Sequence, residues 1–332
     1  MTESSVAIAA GHAPSRRREE IAAAVQRHGA LAVLVLVVVV FSFVFPSFGT
    51  VTNLTNILVD QSFLAIVALG MTFVIISGGI DLSVGSVFAL GGVVAAWGSQ
   101  HGFLVGLGAP LLLCGGIGLI NGVLIARAGM APFIVTLAAL LGARGLMRAI
   151  SSEGSETYLV KSKPFAHFGS GSFLGLGYPV WLAAVLVVVG MVVLARTRFG
   201  RAVYAVGGSE DAAALMGIAV RRTKVGVYVM SGLLAGLAGA INAAKLGSGV
   251  TVLGSGMELN AIAAVVIGGT LLTGGAGTIA GTIAGVLLLG VIQNLINQVG
   301  NLNSNWQQVI SGAFLALVVV AQTYLVKLRR VN

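Results

Sequence analysis

What most constrains this chain is a series of apolar runs too long for the core of a soluble protein. "LAVLVLVVVVFSFVF" (31–45) and "PVWLAAVLVVVGMVVLA" (179–195) contain no charged residue. Each approaches the roughly 20 apolar residues that carry a helix across a bilayer. Only 9% of the chain is charged, against about 25% in a soluble domain, too little to cover a wet surface. The expected fold is all-α and polytopic. Transmembrane β-strands alternate in polarity over about 10 residues; these runs do not, which excludes a barrel.

Ten spans fit the runs: 29–46, 54–77, 80–97, 103–126, 132–150, 178–195, 225–245, 258–273, 277–297 and 306–326. They leave a polar tail at 1–28, a membrane domain over 29–326 and a short tail at 327–332. "FPSFGTVTN" is a poor cleavage site, so the first run reads as a retained span. In a soluble protein the net charge of +9 would suggest nucleic acid. Here it follows topology, because Lys and Arg gather on cytoplasmic loops. With the N-terminus inside, fourteen of the 19 fall inside and Arg144, Arg148, Lys161, Lys163 and Lys245 outside. That bias predicts both termini in the cytoplasm, membrane lipid around the chain and no nucleic-acid partner. Cys114, the single cysteine, reads as a packed thiol.

Two polar segments survive, 151–177 outside and 196–224 inside. The second has basic ends and a short helix in the middle. Ser209 is its expected N-cap, Glu210 and Asp211 complement the positive helix end, and Gly217 stops it. So short a helix is not stable alone in water; it must dock on its own bundle or in a partner's groove.

The stretch "LAIVALGMTFVIISGGIDLSVGS" (64–86) recurs without gaps as "NAIAAVVIGGTLLTGGAGTIAGT" (260–282). Gly78, Gly79 and Gly85 match Gly274, Gly275 and Gly281, and Ser77 matches Thr273. The copies are expected to run in the same direction. Paired Gly breaks in two halves of a membrane chain point to a transport path; a tight turn between packed helices is the alternative. Asp81 follows the first break. A charge in mid-membrane is costly, so Asp81 is expected to cap the third span, with proton or substrate binding as the other possibility. Asp60, Gln61, Asn242, Asn260 and Asn294 are candidate path residues, and as a set they suit a polar, uncharged cargo. Asp60 and Glu258 are expected towards the outer ends. Gly277, Gly281 and Gly285 form a small-residue packing face.

No P-loop GxxxxGK[ST] occurs, and no histidine has metal-ligand spacing with Cys114 or a carboxylate. No cofactor or metal is therefore expected in this chain, and uphill transport driven by ATP would need a separate subunit.

"GMTFVIISGGIDLSVGSV" (70–87), "RTRFGRAVYAVGGSEDAAALMGI" (196–218) and "AVVIGGTLLTGGAGTIAGT" (264–282) resemble the permease subunits of bacterial sugar ABC importers, the ribose/xylose/galactoside group. Within it, "MAPFIVTLAALLGARGLMRAISSEG" (130–154) is similar to galactofuranose importer permeases. The resemblance implies a non-enzymatic transport subunit in the bacterial inner membrane that moves a monosaccharide. Its implied partners are an ATPase subunit holding ATP and Mg, a periplasmic sugar-binding protein, and a second permease copy or paralogue. It also implies that Asp211, Ala212, Ala213 and Gly217 belong to a coupling motif that seats in the ATPase, although the Ile-x-Leu-Pro ending of the longer motif is absent. The rival class is a stand-alone transporter or channel using Asp60, Asp81 or Glu258.

Overall fold

The computed structural model describes residues 16–298 together with Trp306, Val309, Gly312, Ala313 and Ala316, those from 16 to 29 by backbone alone. The expected tenth span, the C-terminal tail and residues 1–15 fall outside these, apart from the five isolated positions. The helices are α1 (Arg16–Val44), α2 (Val51–Ile76), α3 (Val84–Ser99), α4 (Phe103–Arg127), α5 (Pro132–Ile150), α6 (Lys163–Ser170), α7 (Tyr178–Arg196), α8 (Arg198–Gly208), α9 (Glu210–Leu215), α10 (Val220–Leu246), α11 (Met257–Ile267) and α12 (Ile279–Gln298). Six of them are long and apolar enough to cross a membrane: α2, α4, α5, α7, α10 and α12. The architecture is the expected all-α, polytopic one. α1 starts at Arg16, so the polar tail is helical over 16–28, where "EEIAAAVQRHGA" is rich in good helix formers.

α2 is apolar on every side and buried from Gln61 to Ile76, which makes it a central helix. α4, α5 and α7 bury few residues and turn large apolar side chains such as Leu112, Leu141 and Val188 outward. α10 lies close against α3: a Cβ at Gly91 would stand 2.8 Å from the Gly236 backbone, and one at Gly239 would overlap the Phe88 carbonyl. Small residues let the two backbones meet, as is usual between membrane helices.

The end of the bundle carrying α8 and α9 is the near end; the end carrying 151–177 is the far end. α12 is antiparallel to α2, pairing Thr72 with Thr282, Gln61 with Gln293 and Asn53 with Asn294. α11 packs antiparallel on α12, with Gly281 on Gly268 and Gly285 on Ala264. Both copies of the repeat therefore run towards the near end. The face Gly277, Gly281 and Gly285 is the contact itself.

Two expectations need correction. α11 stops at Ile267 instead of 273; at eleven residues it rises only about 16 Å, half the hydrocarbon thickness of about 30 Å. The cause is the run of glycines behind it, with Gly269, Gly274 and Gly275 at positive φ. Glu258 is not at the outer end. Residues 247–256 descend along α3, and Gly254 and Glu258 press on Gly85. Between α5 and α7, α6 and a hairpin of β1 (Ser172–Phe173) and β2 (Leu176–Gly177) order the 151–177 segment. Its Val160 amide donates to Gly247 and its Tyr158 carbonyl accepts from Gly249.

Candidate functional site

The two breaks meet. α2 ends at Ile76; Ser77 donates to Val74 and Gly78 turns with φ +83°. The Ile76 carbonyl, an orphan of the helix end, accepts from the Gly275 amide at 2.9 Å. A Cβ on Gly274 would stand 3.0 Å from the Gly78 backbone. Gly78 thus lies against Gly274 and Ile76 against Gly275, with Ser77 and Thr273 adjoining in the chain, while Gly79 faces the Tyr228 hydroxyl. A third pair enters the same knot. A Cβ on Gly207 would overlap the Ile76 carbonyl and lie 2.7 Å from the Gly275 amide, while one on Gly275 would lie 2.9 Å from Gly208. The pair was visible in "AVGGSEDAAAL", just ahead of the expected cap, but nothing local to it indicates a contact with residues 76 and 275.

Asp81 is buried and does not cap α3, whose N-cap is Ser83. Its Oδ1 instead accepts from the Ser83 amide (3.0 Å) and hydroxyl (2.6 Å), closing a turn two residues long before the helix begins. Its Oδ2 accepts from Ser231 of α10 at 2.8 Å, and Asn121 of α4 donates to Ser83. Asp81 therefore ties the first break to two neighbouring helices.

The candidate path residues are not gathered in one place. Asn294 and Asn53 donate to each other at 2.8 and 3.1 Å, and Gln298 donates to Asn294. Gln61 is buried against Gln293. These amides bond helix to helix. Asp60 is exposed and pairs with Lys245 at 2.8 Å. Asn242 borders a cavity of about 10 Å³ with Phe88 and Leu253, enough for one water. Asn260 is half-buried in the first turn of α11.

The near end is built on two helices, one more than expected. α8 is capped by Thr197, which accepts from Gly200. Its Phe199, Val203 and Val206 recur at helical spacing, a signal present in the sequence. Tyr204 donates to the Gly277 carbonyl at 2.7 Å, and burial pushes its pKa above the usual phenol value, keeping the donor protonated. α9 is capped by Ser209, which accepts from Ala212. Glu210 forms an ion pair with Lys224. Gly217, at φ +77°, ends the turn as Ile218 donates to Ala213. Ala213 is fully buried in its own chain, so only Ala212 of the two expected alanines is free to meet a partner. Ala212 and Asp211 share the exposed face with Leu215, 90% exposed, and Met216, 70% exposed. Beside α9 a cavity of about 420 Å³ opens towards the turn between α4 and α5, lined by Met130, Pro132, Asp211, Ala214 and Arg221.

Comparison with known proteins covers nearly the whole chain. Residues 53–319 match the family model described as "Branched-chain amino acid transport system / permease component". The ribose import permease protein of Escherichia coli is 43% identical over 295 residues, 87% of this chain and 91% of that relative. The L-arabinose ABC transporter permease protein of Azospirillum brasilense is 37% identical over 314 residues, 94% and 92% of the two chains. The fructose import permease protein of Bifidobacterium longum is 35% identical over 305 residues, covering 88% and 89%. No solved structure gives a significant match.

Proposed function

Because the chain belongs to the family of permease components of branched-chain amino acid transport systems, we propose that it is the membrane subunit of an ATP-driven importer whose cargo is a monosaccharide. The family description names amino acids, but relatives at 35–43% identity over most of their lengths import ribose, L-arabinose and fructose. The observation that carries the reading is the near end. α8 is fastened to both breaks, while α9 presents Leu215 and Met216 to the outside. Two large apolar side chains exposed on a capped helix fit a partner's groove, and Ser209, Glu210, Asp211, Ala212, Ala213 and Gly217 build that helix. A separate ATPase docking there would act on the breaks through α8. A second permease copy or paralogue, and a periplasmic sugar-binding protein at the far end, complete the importer. ATP and Mg belong to the ATPase.

Cells expressing the chain with its own ATPase and binding protein should accumulate a labelled pentose or hexose. Uptake should fall to background, a loss of tenfold or more, when the ATPase is catalytically inactivated. Accumulation with the chain alone would favour a stand-alone transporter, and uptake of labelled L-leucine in place of sugars would reassign the cargo.

The same reading puts both termini in the cytoplasm and 151–177 in the periplasm. Ser155 is exposed in that segment. In a Cys114→Ala background, Ser155→Cys should label with an impermeant thiol reagent in intact cells. Labelling only after lysis would invert the topology.

A further inference from the structure

Arg144 lies within α5, one full turn deeper than the exposed Arg148 of its last turn. An arginine near a membrane helix end ordinarily snorkels to the closer interface. Arg144 is six residues from the far-end terminus of α5, yet its Nε donates inward to Ser86 at 3.4 Å. Ser86 belongs to the first turn of α3, about 20 Å below Ser99 at 1.5 Å per residue, and Ser99 is where α3 meets the far-end segment through Lys161. Against the preceding residue of the same turn stands Glu258, whose Oε2 presses on Gly85, is buried and has no hydrogen-bond partner. The two charges are not in direct ion-pair contact: among the described residues, the ion pairs within 4.0 Å are Lys224–Glu210 and Lys245–Asp60.

Two opposite charges, half-buried and unpaired, thus flank one turn deep in the bundle. A charge facing lipid is costly, and a buried carboxylate oxygen left unsatisfied costs more than its hydrogen bond returns. This surface is therefore not a lipid surface. We propose that Arg144, Ser86 and Glu258 form a hydroxyl-binding station on the cargo's route. A guanidinium offers only donors, a carboxylate only acceptors, and a serine hydroxyl both. Adjacent sugar hydroxyls, each donor and acceptor, are complementary to that set. The station stands three residues beyond Ser83, directly on the far-end side of the Asp81 network, so cargo released from it meets the break next. This inference rests on the reading of the chain as a sugar permease.

The test is initial uptake by the full importer in cells, with labelled D-ribose, D-xylose, L-arabinose, D-fructose and D-galactose as probes. Arg144→Gln and Glu258→Gln should each lower uptake tenfold or more. Membrane level, co-purification with the ATPase and cargo-free ATP hydrolysis should stay within twofold of wild type, and Arg144→Lys should recover part of the loss. Variants that transport within twofold of wild type would overturn the station while leaving the permease intact. So would a loss of uptake matched by an equal loss of folded protein in all three variants, which assigns the residues to structure. A wild-type importer that moves none of the five sugars overturns the sugar reading itself, and the station with it.

Discussion

Replacing Leu215 and Met216 together by Asp should abolish uptake and strip the ATPase from the purified permease. Both side chains are largely exposed, so the chain loses almost no packing of its own and should reach the membrane at wild-type level. In a docked interface the same residues would be desolvated. Central apolar contacts of that kind cost about 2 kcal/mol or more each when lost, and a buried unpaired charge adds to this. Two such losses amount to a fall in affinity of roughly a thousandfold at 1.4 kcal/mol per decade. Quantifying the ATPase that co-purifies with a tagged permease measures the effect. Unchanged stoichiometry with normal transport would remove α9 as the coupling element. Ala213→Trp would be a poor substitute, because Ala213 is enclosed by its own chain and overfilling it would disturb the permease itself.

The second large effect is expected at Gly207. In an ordinary helix Gly→Ala gains about 1 kcal/mol. At Gly207 the added methyl would overlap the Ile76 carbonyl and crowd the Gly275 amide, and both are backbone atoms that cannot swing away. Gly207→Ala should therefore lower uptake at least tenfold and lower the melting temperature of the solubilised protein. Its neighbour is the control. Gly208 has nothing within 4 Å of its would-be Cβ and no positive φ, so Gly208→Ala should stay within twofold of wild type. Equal behaviour of the two variants would show that the three glycine pairs are not in contact.

Much of this arrangement can be read before any coordinate is known. Apolar length locates the membrane helices, and the Gly pairs at 78–79 and 274–275 mark real breaks because positive φ and helix exclude one another there. What the sequence does not carry is partnership across the fold. Asp81 sits where an N-cap would, but Ser231, 150 residues on, claims its second oxygen. Asn294 is a polar residue on an apolar helix, and only the facing Asn53 makes it a structural amide. α9 has six residues, too few for periodicity to say that Ala213 turns inward. α8 is a different case: its Phe199, Val203 and Val206 carry the spacing of an amphipathic helix, overshadowed by the basic ends of the segment.

The hydrogen bond from the Gly275 amide to the Ile76 carbonyl also orders the biogenesis of the protein. Its acceptor and donor are roughly 200 residues apart, and a ribosome adds about 5–20 residues per second, so the carbonyl is made about 10–40 s before its partner exists. During that interval the first half of the chain is in the bilayer with the end of its central helix unfinished. Water, lipid headgroups or the insertion machinery must hold that carbonyl until α11 and the glycines behind it arrive. The nascent amino-terminal half thus carries an open acceptor, and the two halves close on one another at this point only after residue 275 has been made.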